Sequence, residues 1–356
     1  MSELSAKEFT RRKFLPIIRL RSATLVVTLV LVATAGVVAS TAELQVATQR
    51  VKSAEAKAQQ ANERPVKKYP AISHQRKFRA HQGPILSTNF SPDGKLIATA
   101  GNDSTGRLWT LSGQQLAEFK NQRPVFDVRF NPEGQQIATA GYDGTARVWN
   151  FSGQQLAEFK GHQASVLRVS FSPDGQLIAT AADDGRVKLW KFSGQQLAEL
   201  NNQGSVRGLS FSPDGQQIAT AEDRGTARLW NLSGQMLAHF NGNQGSLRSL
   251  SFSPNGEQIA TAGFDGTVKL WNLSGQQLAE FRGDQGWVNS VSFSPDGKQI
   301  ATAGDDGNGK LWNLSGQLLA KFTRDQGRLN SVSFSPDGKQ IATAGEDGTV
   351  CLWRVD

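Results

Sequence analysis

Short runs of β-branched, aromatic and small apolar residues recur along most of this chain, each bounded by turn residues. The stretch from Phe159 to Trp190, FKGHQASVLRVSFSPDGQLIATAADDGRVKLW, shows the pattern. Its runs from Val166 to Phe171, Leu177 to Ala181 and Val187 to Trp190 predict three strands. Ser172-Pro173-Asp174-Gly175 joins the first two: proline presets φ for the second position of a type I turn and glycine closes it. A fourth run follows each such tryptophan after a Ser-Gly-Gln turn, as in Ser152-Gly153-Gln154 leading to Leu156 and Phe159. One unit is therefore a four-stranded antiparallel meander.

The unit repeats. Trp109, Trp149, Trp190, Trp230, Trp271, Trp312 and Trp353 stand at intervals of 40, 41, 40, 41, 41 and 41 residues, the mark of a repeat array. The proline turn recurs seven times, at Pro92, Pro132, Pro173, Pro213, Pro254, Pro295 and Pro336. A lone meander cannot bury both faces, whereas seven stacked radially can, and the ring protects its edges. The Ser-Gly-Gln-type turns number only six, starting at Ser112, Ser152, Ser193, Ser233, Ser274 and Ser315. The last unit therefore lacks its outer strand. Gln75-Arg76-Lys77-Phe78-Arg79-Ala80-His81-Gln82 aligns with the segment ending in Phe159-Lys160-Gly161-His162-Gln163, so residues near 74–79 are expected to supply that strand.

These features resemble the WD-repeat β-propellers over about residues 73–356. The Gly-His element is Gly161-His162, and the Trp-Asp position reads Trp-Asn at Trp149-Asn150, Trp230-Asn231, Trp271-Asn272 and Trp312-Asn313. The near-identical repeats resemble those of bacterial-type members, for which the resemblance implies an N-terminal membrane anchor. The resemblance implies an all-β, seven-bladed propeller and a non-catalytic scaffold for a protein or peptide partner. It also implies that His81, Thr99, Asp103 and Trp109, and likewise His162, Thr180, Asp184 and Trp190, form buried hydrogen-bond networks pinning an outer loop to its blade. The histidine slot elsewhere holds Asn121, Asn202, Asn243, Asp284 and Asp325, and the aspartate slot of blade four holds Arg224. Blades one and three should then be pinned best and blade four worst.

Charge changes the picture mainly at the N-terminus. The net charge is +8, but residues 1–70 hold 12 Lys/Arg against 5 Asp/Glu, whereas residues 71–356 hold 27 against 26. A nearly neutral propeller argues against nucleic acid, which needs a basic face. The basic segment 1–22 precedes an uncharged apolar run, residues 23–42, long enough to cross a bilayer as a helix. Lys7, Arg11, Arg12, Lys13, Arg19 and Arg21 lie upstream, and only Arg50, Lys52 and Lys57 in the next 20 residues. This asymmetry puts the N-terminus in the cytoplasm and the propeller on the far side. A cleaved export signal is the alternative: Ser40-Thr41-Ala42 is a small-residue cleavage site, and Thr10 to Leu15 resembles a twin-arginine motif. Residues 43–72, rich in Ala, Gln, Lys and Glu over their first 20, predict a helical stalk and linker ended by Pro65 and Pro70.

The Thr-His-Asp sets look like catalytic triads, but a chemical nucleophile would also need an oxyanion site and a distinctive local environment. The four histidines and the single Cys351 have no metal-ligand spacing, and Asp305 to Gly309 is a strand turn without the spaced acids of a calcium loop. No cofactor is expected. Function is sought instead in slots that vary among near-identical repeats. At the start of the first strand these are Pro84/Leu86, Pro124/Phe126, Ser165/Leu167, Ser205/Arg207, Ser246/Arg248, Trp287/Asn289 and Arg328/Asn330. Before the turn aspartate they are Asn102, Tyr142, Asp183, Asp223, Phe264, Asp305 and Glu346. In resembling proteins both sets face the top surface. Trp287, Phe264, Tyr142, Phe126, Arg207, Arg248 and Arg328 supply the residue types that dominate binding hot spots. The alternative is an enzyme or carbohydrate-binding module using the central channel.

Overall fold

The computed structural model describes residues 71–121, 123–242, 245–282 and 286–356. They form 28 strands in seven four-stranded antiparallel sheets. Six sheets are built from strands consecutive in the chain. The seventh joins the last three strands, Leu329–Phe334, Gln340–Gly345 and Thr349–Val355, to the first strand of all, Ile72–Arg79. That strand was expected near 74–79, and it pairs antiparallel with Thr349–Val355 from Ile72↔Val355 to Arg79↔Thr349. Among the described residues no helix is long and apolar enough to cross a membrane. The apolar segment 23–42 and the stalk expected to follow it lie outside the described residues as far as residue 70.

The proline turns set the first hairpin of each blade. In blade three Gly175 N–H donates to Ser172 O at 2.9 Å, with Gly175 at φ +71°. Ser172 Oγ donates to Asp174 Oδ1 at 2.5 Å, so the turn sequence is self-satisfied. The asparagine after the tryptophan does the same for the Ser-Gly-Gln turn. Asn150 Oδ1 accepts the N–H groups of Ser152 and Gln154 at 3.1 and 2.9 Å, while its Nδ2 donates to Gln154 Oε1 at 3.2 Å. An aspartate would lose that last bond, which accounts for asparagine in this slot.

No blade has a core of its own. Each apolar cluster draws from two neighbours: Ala138, Ala140, Ala146, Val148 and Phe159 of blade two pack on Val166, Val169, Phe171, Ile178 and Trp190 of blade three. The same holds across the closure, where Ala342, Ala344, Val350 and Leu352 of blade seven pack on Ile85, Phe90, Ile97 and Trp109 of blade one. Each repeat tryptophan is buried, and its Nε1–H donates to the threonine ten residues back, as in Trp190 to Thr180 at 2.9 Å. Small alanines flank that threonine in the second strand and let adjacent sheets approach closely.

Two irregularities recur. The first strand of every blade carries a β-bulge at its second residue, as between Val206 and Gly208 or Leu247 and Ser249. The bulged residues are Leu86, Phe126, Leu167, Arg207, Arg248, Asn289 and Asn330. A bulge re-aims one side chain out of the alternating register, and here it does so at the end of the channel opposite the proline turns.

Closure through the first strand makes a prediction. Deleting residues 71–80 removes the outer strand of blade seven, with Phe78, whose ring lies 5.4 Å from that of Trp109. The melting temperature should fall by more than about 5 °C, since the whole ladder to Thr349–Val355 and the half-buried Phe78 are lost together. Deleting residues 1–68 should leave a folded propeller. Equal melting of both truncations would contradict closure by this strand.

Candidate binding face

Two constellations were read from the sequence, and the structure separates their roles. In blade one Trp109 Nε1–H donates to Thr99 Oγ1 at 2.9 Å, Thr99 meets His81 Nε2 at 2.7 Å, and His81 Nδ1 meets Asp103 Oδ1 at 2.9 Å. Blade three repeats this with Trp190, Thr180, His162 and Asp184, at 2.9 Å, 2.8 Å and 3.1 Å to Oδ2. The chain of bonds puts the imidazole proton on Nδ1, facing the carboxylate. Asp103 Oδ2 and Asp184 Oδ2 also accept the N–H of Gln82 and Gln163, which fixes the loop entering the blade. Thr99 and Thr180 are fully buried and already satisfied, so no substrate atom reaches these hydroxyls.

Burial lowers the pKa of both histidines below the ordinary value, against the opposing pull of Asp103 or Asp184. Burial pushes the two aspartates upward, but hydrogen bonds prevail and hold them below the usual carboxylate range: Thr105 and His81 at Asp103, Gln163 N–H and His162 at Asp184.

Blade four departs from the expectation that it is pinned worst. Glu222 occupies the slot of Gly101, where an added Cβ would lie 2.2 Å from the His81 ring. With the shorter Asn202 in the histidine slot there is room for this carboxylate. Glu222 Oε2 accepts the N–H of Gln203 and Gly204 at 2.9 and 3.1 Å, the work Asp103 does in blade one, and the other oxygen pairs with Arg228. Thr220 Oγ1 donates to Asn202 Oδ1 at 2.8 Å. Blade seven also differs. Gln326 rather than Asp325 turns inward, accepting from Thr343 Oγ1 at 2.7 Å and donating to Thr349 O at 3.0 Å. In blade two Asn121 accepts from Arg147 at 3.2 Å. Asn243 and Asp284 lie outside the described residues.

The variable slots converge on one mouth of the channel, built by three positions per blade. The residue just before the first strand accepts, through its carbonyl, the N–H of the residue just after the second, as Trp287 O does from Asp305 N at 2.9 Å. The bulged residue lies between them. Phe264 of blade five and Trp287 of blade six are stacked, ring centroids 3.9 Å apart and 3° from parallel. The Arg248 guanidinium lies 4.5 Å from the Phe264 centroid and 5.8 Å from that of Trp287, and Arg328 lies 5.7 Å from Trp287. Phe126 and Tyr142 form a separate pair on blade two, 6.1 Å apart, with Arg123 5.5 Å from the Tyr142 ring. Arg207 joins neither pair; its guanidinium stands 3.6 Å from Asp183. Trp287 and Tyr142 are 37% and 49% exposed.

Below the mouth the first strands line the channel. The next slot inward holds Ser87, Asp127, Arg168, Gly208, Ser249, Ser290 and Ser331. Four of these side chains accept an N–H from the following blade: Ser331 from Thr88, Ser290 from Val332, Ser249 from Val291 and Asp127 from Val169, at 3.0–3.3 Å. Arg168 breaks the series. It reaches past blade four, where Gly208 has no side chain, to donate to Arg248 O of blade five at 3.3 Å. Arg168, Asp127, Glu222 and Gln326 were not singled out by the sequence. Comparing this inner slot across repeats, as was done for the two outer ones, exposes the first two. Among the described residues no group of three His, Cys, Asp or Glu is arranged to hold a metal.

The repeat pattern, the closed seven-blade ring and the loop-pinning networks define a WD-repeat propeller. A family model described as the IFT122 first beta-propeller matches residues 71–313, and that for the WD domain, G-beta repeat, matches residues 316–354. The chain belongs to the WD-repeat β-propeller family. It is also similar to transcription initiation factor TFIID subunit 5 of Caenorhabditis elegans, 42% identical over 41 residues, which is 12% of this chain and 6% of that protein. That likeness has the length of one repeat, and the chain covers only a small part of that relative.

Two outcomes test the pinning networks. Because the folded histidines resist protonation, the unfolded chain binds more protons below about pH 6.5, so stability falls as pH drops through that value. Urea titrations of His81→Asn/His162→Asn should show a flatter dependence between about pH 7.5 and 5.5 than the parent. In blade four, Glu222→Ala leaves Arg228 buried without its partner and should cost about 3–5 kcal/mol in the same assay. A cost below about 1 kcal/mol would mean that Glu222 is not what pins this loop.

Proposed function

We propose that this propeller is a non-catalytic scaffold, held at a membrane by residues 23–42, that binds a protein or peptide at the channel mouth carrying Trp287 and Phe264. The observation that carries the reading is the partly exposed aromatic stack on two neighbouring blades with Arg248 and Arg328 against it. None of these four residues fills a slot that holds the fold together. Each blade otherwise repeats nearly the same residues, so large aromatics at the rim serve no packing role that the repeat requires. Aromatic and arginine side chains in one patch give large contact area at low entropic cost, the composition of binding hot spots. The propeller's near-neutral charge, 27 Lys/Arg against 26 Asp/Glu over residues 71–356, argues for a protein rather than a nucleic acid.

The apolar run and the basic excess before it support a single pass with the N-terminus in the cytoplasm. A cleaved signal would place the propeller on the same side.

Trp287→Ala should weaken capture of the partner from solubilised membranes by about 30-fold or more, equivalent to ~2 kcal/mol, with the melting temperature nearly unchanged. Trp271→Ala should do the reverse, opening a core cavity that costs ~3–5 kcal/mol. Full capture by Trp287→Ala, or recognition of glycans on an array with no protein captured, would remove the reading. For topology, protease added to spheroplasts should destroy a propeller epitope; digestion only after lysis would reverse the orientation.

A further inference from the structure

Acids and arginines are unevenly spread at the mouth. The outer turn slots hold acids, Asp183, Asp223, Asp305 and Glu346, whereas the bulge and inner slots hold Arg207, Arg248 and Arg168. Rim acids meet some of this charge: Arg328 lies 3.1 Å from Asp305 and Arg207 3.6 Å from Asp183. Asp127, the throat's own carboxylate, is occupied by Ser87 Oγ–H at 2.7 Å, Val169 N–H at 3.2 Å and Arg129 at 3.4 Å. Arg168 and Arg248 have no carboxylate within ion-pair distance among the described residues. Arg168 is satisfied by backbone carbonyls, of Leu167 at 2.8 Å and of Arg248 at 3.3 Å. Arg248 Nε is buried and has no hydrogen-bond partner among the described residues. Burial, then Arg207 and Arg168, bring the Arg248 pKa down to about 10. A fold that needed only stability would not gather guanidinium groups without a carboxylate partner in a partly desolvated throat, since backbone carbonyls and ring faces return only part of the desolvation cost.

Resting on the reading that a peptide binds at this mouth, we propose that its partner inserts one carboxylate side chain, Asp or Glu, between Arg248 and Arg168, with an adjacent apolar side chain on the Phe264–Trp287 stack. The geometry points to a single acid. Arg248 touches both the stack and the throat, so one short segment lying across the mouth reaches both. Asp223 and Glu346, the rim acids without an arginine partner among the described residues, disfavour a run of acids more than an isolated one. A planar guanidinium pairs with a carboxylate through two parallel N–H···O bonds, which an ammonium cannot reproduce.

The test uses the purified full-length chain and fluorescein-labelled peptides, acetylated and amidated at their ends, by fluorescence anisotropy. One peptide carries a single Glu between leucines in a Ser-Gly background. The others replace that Glu by Gln or Lys, replace it by four consecutive Glu, or keep Gln and leave a free C-terminal carboxylate. The single-Glu peptide should bind at least about tenfold tighter than the Gln and Lys peptides, and the four-Glu peptide no tighter. Arg248→Gln should lose that preference without a lower melting temperature, and Arg248→Lys should restore only part of it. Equal binding of the Glu and Gln peptides, both weakened by Trp287→Ala, would overturn the carboxylate but leave the peptide-binding mouth. Preference for the free C-terminal carboxylate would overturn the side-chain assignment. Binding of none, with inorganic phosphate raising the melting temperature of the parent but not of Arg248→Gln, would reassign the throat to a small anion and overturn both.

Discussion

Everything in this propeller depends on apolar packing between blades. Each of the seven core clusters takes residues from two sheets, so a single blade has no interior to bury. Stability is therefore a property of the ring, and the ring needs a closure. The first strand provides it by entering the sheet of blade seven, where Lys77 also meets Asp347 at 3.0 Å and Phe78 reaches Trp109 in blade one. A solenoid of such repeats would leave two unpaired faces; a closed ring leaves none.

Within that ring the tryptophan–threonine bond is constant while the loop networks vary. All seven indoles donate to their threonine, at 2.9–3.1 Å. Beyond the threonine hydroxyl the solutions differ: histidine with aspartate, asparagine with a displaced glutamate, or glutamine. What each must do is the same, namely satisfy a buried hydroxyl and hold the N–H groups of the incoming loop. Glu222 shows that the requirement attaches to the space and not to the sequence slot, because it comes from a position that is glycine in five other blades and alanine in the sixth.

The mouth is where the repeats cease to be equivalent. Bulges lift one side chain per blade out of the ladder, and those side chains run from apolar on blades one to three, through arginine on four and five, to asparagine on six and seven. Asn289 and Asn330 donate across to Leu329 O and Ile85 O of the next blade, at 3.0 and 2.9 Å, closing that side of the mouth. The arginine side remains open and faces the aromatic stack. An equal-armed scaffold thus acquires a direction without any change of fold.

The period of the tryptophans, the proline turns and the missing seventh outer turn were enough to determine the blade count, the strand order within a blade and the strand that closes the ring. These follow from local turn chemistry and from apolar alternation, both of which are written in consecutive residues. The rim aromatics were also legible, because near-identical repeats make each departure conspicuous. What only the tertiary structure decided is which departures meet. Phe264 and Trp287 are 23 residues apart in sequence, and Arg168 and Arg248 are 80 apart; they come together because the ring sets blades side by side and because Gly208 leaves the channel open between blades three and five. Glu222 and Gln326 escaped the sequence for a related reason. A slot-by-slot alignment assumes that each role stays in its column, whereas in the folded blade a carboxylate or amide from the neighbouring column reaches the same buried donors and acceptors.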